Sequence, residues 1–240
     1  MKRAPLSEHL EELLHRMYIA LAALIVCSIL CLPLVPYTIR FMKENLLPPD
    51  VELVALSPFD NIIALFEMTF VLGFILSFPV ILYEVLKFIV PALYEHELKV
   101  LYLTMPLGIL LFLLGASLGF KLILPTMYSI CSKVRLGQTT IFSLRSFIEY
   151  TIMLLLGFGL SFELPLVMAV LNLLGIIPVE AFKENRPVSY IVLAIIGIVF
   201  LTPEATTILD LIATFLLIGL YELGIFVSEL VEKHLYTHKA

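Results

Sequence analysis

The sequence predicts an all-α polytopic membrane protein, and three observations lead there. Hydrophobic residues make up 61% of the 240 positions and charged residues only 15%, whereas soluble domains average roughly 45–50% apolar and about 25% charged. The apolar residues fall into continuous runs long enough to cross a bilayer, which takes about 20 residues. None of these runs alternates apolar and polar residues, so a transmembrane β-barrel is excluded and helices must satisfy the backbone in hydrocarbon. The length accommodates about six spans with short loops and leaves no room for a separate soluble domain.

The first span is read as 17–35, Met17 to Val35. An amphipathic helix leads into it: Leu6, Leu10, Leu13, Leu14 and Met17 recur at helical spacing, Ser7 can cap, and Glu8 suits the positive end of the helix dipole. Met1, Lys2 and Arg3 are basic, but Glu8, Glu11 and Glu12 precede the apolar run. No small-x-small site follows it, so this span is expected to be retained rather than cleaved as a signal peptide. The proline-bearing stretch Pro36–Pro58 is expected to hold a short helix, Tyr37–Leu46, and then an extended piece.

The second span is 64–90, with Glu67 and Glu84 near its ends and Pro79 inside. A short loop, Pro91–Lys99, precedes the third span, 100–120, which Lys99 and Lys121 bracket. The stretch 122–145 reads as a larger loop, and the fourth span is 147–174. The fifth, 188–201, is stopped by Thr202-Pro203-Glu204. The sixth, 206–228, is interrupted by Asp210 and Glu222, which leave eleven uncharged residues between them. Both final spans therefore read as short. The fourteen residues of 188–201 reach about 21 Å as a helix, against a hydrocarbon core of ~30 Å. Local bilayer thinning or cover by another subunit would answer the mismatch.

Six spans put both termini on one side. With that side cytoplasmic, nine Lys or Arg lie inside and six outside, the orientation the positive-inside rule prefers. A formal charge of −5 carries no sign of nucleic-acid binding. Cys27, Cys31 and Cys131 have no metal-ligand spacing and read as packing residues, and no cofactor is expected.

Glu163 is the only charged residue between Tyr150 and Ile177. A carboxylate at mid-membrane costs at least ~2.5–3.5 kcal/mol on insertion scales, so chains carry one there rarely and usually for function; the alternative is a neutral acid hydrogen-bonded to a neighbouring helix only to fix packing. Desolvation favours its neutral form. Pro165, two residues on, removes a backbone donor and favours a kink. Near the termini, Glu8 and Glu12 share a helix face. They make either a solvated acidic face with a Glu12–Arg16 pair at i, i+4, or a docking site for a basic ligand. Glu97, in the loop after the second span, lies on the same side as Glu12. It is either an ordinary loop acid or a second seat for an arginine fork.

Several segments in order carry a family resemblance: His9-Leu10-Glu11-Glu12-Leu13, Ser57-Pro58-Phe59, Pro79-Val80-Ile81-Leu82-Tyr83-Glu84, Phe88 through Glu97, and Ser161-Phe162-Glu163-Leu164-Pro165. Arg186-Pro187, Thr202-Pro203 and Tyr221-Glu222-Leu223-Gly224-Ile225 continue the series. The set resembles the TatC family, the polytopic subunit of the twin-arginine protein translocase. The resemblance implies six transmembrane helices with cytoplasmic termini, curved into a concave wall. It implies a receptor that reads the paired arginines of signal peptides on folded proteins for export. Its signal-peptide site would be Glu12 and Glu97, flanked by His9 and Arg16, and Glu163 would be the intramembrane polar site for a partner.

The implied partners are single-span subunits of the TatA and TatB type, in an oligomeric complex that draws on the proton-motive force. The implied location is the cytoplasmic membrane of a prokaryote. The chain departs from the family pattern at Leu14 and Leu86, where an arginine and a tryptophan are usual, and at Glu204, which follows Pro203 directly. The alternative function is a proton-coupled secondary transporter using Glu163, a class that favours internal repeats and paired broken helices. An enzyme is not expected: all five histidines lie at the termini or in loops, away from any nucleophile at membrane depth.

Overall fold

The computed structural model describes residues 6–49, 51–89, 95–133, 141–201 and 207–237; side chains at 6–9, 95–103, 200–201, 207–208 and 234–237 lie outside the described set. Helix α1 spans Leu6–Cys31. The 3₁₀ turn Leu32–Leu34, carrying Pro33, hands the chain to α2, Val35–Leu46. Strand β1 is Glu52–Val54 and α3 is Asp60–Ile89. Helix α4, Glu95–Leu118, continues through a π-helical turn, Gly119–Ile123, into α5, Leu124–Lys133. After β2, Ile141–Ser143, come α6, Leu144–Ser161, and α7, Leu164–Leu173. The chain ends with α8, Val179–Glu184; α9, Arg186–Ile196, prolonged by a π-helical turn to Leu201; and α10, Thr207–Thr237.

Among the described residues, five helical stretches are long and apolar enough to cross a membrane: Leu10–Leu46, Asp60–Ile89, Thr104–Lys133, Leu144–Leu173 and Leu209–Lys233. A shorter apolar helix, Arg186–Val199, coincides with the expected fifth span. The Ser57-Pro58-Phe59 turn is explained by Asp60. Its buried Oδ2 accepts the backbone N–H groups of Leu56 and Ser57, each at 2.8 Å, and so ties the turn to the first residue of α3.

Helix α1 packs along α3, α6 lies against both α3 and α4, and α7 packs along α10. The first contact depends on Gly73, because a Cβ there would overlap Ser28 of α1. Phe78 of α3 stacks on fully buried Phe112 of α4 at 3.9 Å between ring centroids. Phe147, Ile148, Leu154 and Phe158 carry α6 into the larger core. Strands β1 and β2 pair in parallel, Glu52 opposite Ile141, and tie the connection before α3 to the one before α6.

Three sequence expectations are corrected. The third span does not give way to a loop at Lys121. Lys121 is exposed and its long side chain can reach outward, so the helix turns through it and buries Leu124, Met127 and Tyr128 on one face. Cys131, expected in that loop, stands on α5. The sixth helix is not short: α10 has 31 residues, of which the 25 of Leu209–Lys233 form an apolar stretch. Asp210 and Glu222 interrupt the run of uncharged residues without ending the helix, since Glu222 is answered by side chains of α9. Finally, α4 begins at Glu95, which puts Glu97 in a first helical turn rather than in a loop. Residues 90–94 and 202–206, with Thr202-Pro203 and Glu204, lie outside the described residues.

Candidate functional site

The first site lies where α1 begins and α3 ends, which brings together residues far apart in sequence. Arg16 donates through Nε, at 3.2 Å, and through Nη2 to the same oxygen of Glu12, Oε1. Its Nη1 donates to Oε2 of Glu84 at 3.3 Å, across 68 residues of sequence. Side-chain exposure falls from 33% at Glu12 through 14% at Arg16 to 8% at Glu84. Glu12 is thus the outer acid and Glu84 the inner one. Two carboxyl groups thus face one guanidinium.

Glu12 and Arg16 were expected from the sequence, and Glu84 was not. It reads there as a charge at the end of a span, and only the antiparallel pairing of α1 with α3 sets it opposite Arg16. Lys87, one turn further along α3, stands over the Tyr83 ring at 5.3 Å. The side chains of His9 and Glu97, the other expected members, lie outside the described residues.

The second site is the break between α6 and α7. The backbone ladder runs from Phe162 N to Phe158 O at 3.2 Å and from Glu163 N to Leu160 O at 3.1 Å. It resumes from Val167 N to Glu163 O at 2.9 Å. Between these, Pro165 has no N–H to give to the Ser161 carbonyl. The Ser161 hydroxyl instead donates back to the Gly157 carbonyl at 2.6 Å. Glu163 occupies the break, 8% exposed.

The Glu163 carboxyl reaches across to Gly108 of α4, where an added Cβ would stand 3.1 Å from Oε2. Among the described residues neither carboxyl oxygen has a hydrogen-bond partner. A buried polar group left so costs about 1–3 kcal/mol, a cost seldom kept without a function. Just beyond, an apolar groove of about 280 Å³ opens between α4, α7 and α10, lined by Leu107, Leu111, Pro165, Ala169, Leu223 and Val227.

A third polar cluster fixes α9 on α10. Arg186 makes a fork to Glu222, Nε to Oε1 and Nη2 to Oε2, each at 2.8 Å. The Tyr190 hydroxyl donates to the same carboxylate. The Tyr221 hydroxyl donates to the Phe182 carbonyl at 2.8 Å and accepts from Ser189 at 3.0 Å. Lys183 of α8 pairs with Glu229 at 2.6 Å, and that hydrogen bond holds the Lys183 ammonium above its ordinary range. These contacts give Arg186-Pro187 and Tyr221-Glu222 a physical role: they seat the short helix. Among the described residues no group of three or more His, Cys, Asp and Glu side chains is placed to hold a metal ion.

A predominantly helical multi-pass membrane protein with a guanidinium held between acids at one end, and inside its helix bundle an acid without a hydrogen-bond partner among the described residues, is the class these sites define. Residues 8–215 match the family model described as Sec-independent protein translocase protein (TatC), and the chain belongs to that family. It is 34% identical to the Sec-independent protein translocase protein TatC of Aquifex aeolicus (strain VF5), over 95% of this chain and 96% of the relative. It is 33% identical to TatC of Listeria innocua serovar 6a, over 93% and 90% respectively. A crystal structure of the twin-arginine translocase receptor TatC superposes with a TM-score of 0.82 at 30% identity, covering 93% of this chain and 99% of that one.

Proposed function

We propose that this chain is the receptor subunit of a twin-arginine translocase, binding the paired-arginine signal peptides of folded proteins for export. It acts as a receptor and not as an enzyme. The observation that carries the reading is the Glu12 carboxylate, which already receives two N–H groups from a guanidinium at the rim of the bundle. A side chain so placed can receive an arginine from outside by the same charge-assisted bonds. Glu97 is read as the second acid and His9 as a further member of the site, as the family resemblance implies.

In this reading both termini face the cytoplasm of a prokaryotic cell, and the six spans cross its plasma membrane as a concave wall. Glu163 meets a polar group on a single-span partner of the TatA or TatB type, within an oligomer energised by the proton-motive force. The carrier reading that Glu163 also invites is not favoured, because the family match runs along the chain from residue 8 to residue 215.

The test is binding of a labelled paired-arginine signal peptide to the purified protein. Changing Glu12 and Glu97 together to Gln should abolish it while leaving helical content and elution volume unchanged. Replacing the peptide's arginines by lysine should weaken it as well, since an ammonium cannot make the planar fork. Normal peptide binding by the double variant would overturn the proposal.

A further inference from the structure

An apolar groove runs along α3 between the α1–α2 corner and α4, in the half of the bundle away from Arg16. We propose that it is the seat of one membrane phospholipid, with an acyl chain in the groove and the headgroup phosphate at Lys121.

The groove has two parts, of about 420 Å³ and about 200 Å³. Thr38, Leu72 and Ile75 line both, so the two are continuous. The larger part reaches inward to Ile109, and the smaller reaches outward to Phe41 and Phe120. Leu34 and Leu76, which border the larger part, are both exposed, so the groove opens sideways to the hydrocarbon around the protein.

Polarity, width, length and charge together select the occupant. The hydroxyls in the lining are already committed. Thr38 donates to the Leu34 carbonyl at 3.1 Å, and Thr151 donates to the Phe147 carbonyl at 2.7 Å and bonds the Tyr128 hydroxyl at 3.1 Å. The lining therefore rewards apolar contact and asks for no hydrogen bond. At its outer end the rings of Phe41 and Phe120 stack at 5.8 Å between centroids, joining α2 to the π-helical turn. A helix with its side chains is about 10–12 Å across, too wide to enter beside a closed pair of rings, whereas a single hydrocarbon chain is not.

From Ile109 to Phe120 the helix rises about 16 Å at 1.5 Å per residue. One leaflet contributes about 15 Å, half of a ~30 Å hydrocarbon core. The groove is thus as deep as one acyl chain is long. Lys121 follows Phe120 directly, is exposed, and makes no ion pair among the described residues. Its ammonium stands where a headgroup would lie, and its stem can run along the apolar wall to reach it. Arg40, next to Phe41, adds a second exposed cation beside its partner Glu44.

The experiment uses the full chain in detergent and dioleoyl phosphatidylglycerol as the probe. The sequence contains no tryptophan, so one introduced residue is the sole indole reporter. Leu76→Trp places it on the groove, and Leu211→Trp places it on an exposed face of α10 as the comparison. With the brominated lipid in excess detergent, quenching of Leu76→Trp should saturate at one lipid per chain. Quenching of Leu211→Trp should only rise in proportion to the lipid in the micelle. Native mass spectrometry of the chain without these changes should show one retained lipid. Lys121→Gln should weaken retention about fivefold, the effect of one lysine near a charged membrane surface. Thr38→Phe, which puts a ring where the two parts of the groove meet, should abolish it at unchanged elution volume.

Equal, unsaturable quenching at the two positions overturns the proposal, and that measurement stands even if Thr38→Phe fails to fold. Retention unaltered by a folded Thr38→Phe overturns it too. So does a lipid-free dimer that Thr38→Phe dissociates, which would put a second copy of the chain in the groove. Retention unaltered by Lys121→Gln overturns the placement of the headgroup.

Discussion

Gly108 on α4 gives Glu163 the space its carboxyl occupies: a Cβ at Gly108 would lie 3.1 Å from Oε2 of Glu163 and 2.7 Å from Cδ2 of Leu82. The residue on one helix therefore fixes where the acid on another can point. Gly108→Ala should cost about 1–3 kcal/mol by overpacking and should displace the carboxyl. The thermal midpoint should fall, and export of a twin-arginine reporter per folded molecule should fall with it. Full export from a normally accumulating variant would mean that the direction of the carboxyl is immaterial.

Because neither oxygen of Glu163 has a hydrogen-bond partner among the described residues, the acid should work against stability. Glu163→Leu should raise the thermal midpoint in detergent while impairing export, the trade expected where a strained site serves activity. Glu163→Gln, which retains a polar group of the same shape, should be mild. Glu163→Ala should lose partner engagement but still insert and purify. A Leu variant that unfolds at a lower temperature than the unaltered protein would make Glu163 a packing residue.

The Arg186–Glu222 fork is partly open to its surroundings, with side chains 40% and 38% exposed. Solvent screens such a pair, so its loss should lower the thermal midpoint only slightly. Arg186→Lys should behave nearly like Arg186→Gln, because a lysine cannot span both oxygens. Combining either with Glu222→Gln should add little. The thermal midpoints of the four proteins of this cycle measure that coupling, and strictly additive losses would show that the fork contributes nothing as a unit.

Helix α9 and its π-helical turn together span 16 residues, from Arg186 to Leu201, or about 24 Å at 1.5 Å per residue. The thin membrane expected around so short a segment should gather single-span partners. Cysteines at exposed Ile191, Val192 and Ile195 should crosslink to such a partner more than cysteines at exposed Leu110 and Leu113 of α4. Equal yields at the two faces would leave the partner without a preferred seat.

The apolar runs were legible because hydrocarbon imposes length and continuity on each helix separately. The break at Glu163 was legible because Pro165 acts within its own turn. What escaped the sequence depends on other helices. Lys121 looks like a span's end until the π-helical turn carries the chain past it. Asp210 and Glu222 shorten the uncharged run, but the partner of Glu222 is Arg186, 36 residues earlier. Glu84 is invisible as a site residue until α3 is laid beside α1. A usable signal did exist, since consecutive crossings place the end of the second span beside the start of the first. An acid there is placed to meet Arg16, and pairing terminal charges across such hairpins would have found it.

The interruption at Phe162–Glu163 also divides the protein's attachments. Helix α6 packs chiefly on α3 and α4, whereas α7 packs chiefly on α10 and only lightly on α4. A bundle of uninterrupted rods would spread any load along its length. Here the fourth crossing has a seam at mid-depth, and relative movement of the two groups of helices must be taken up at the residues that bear the acid.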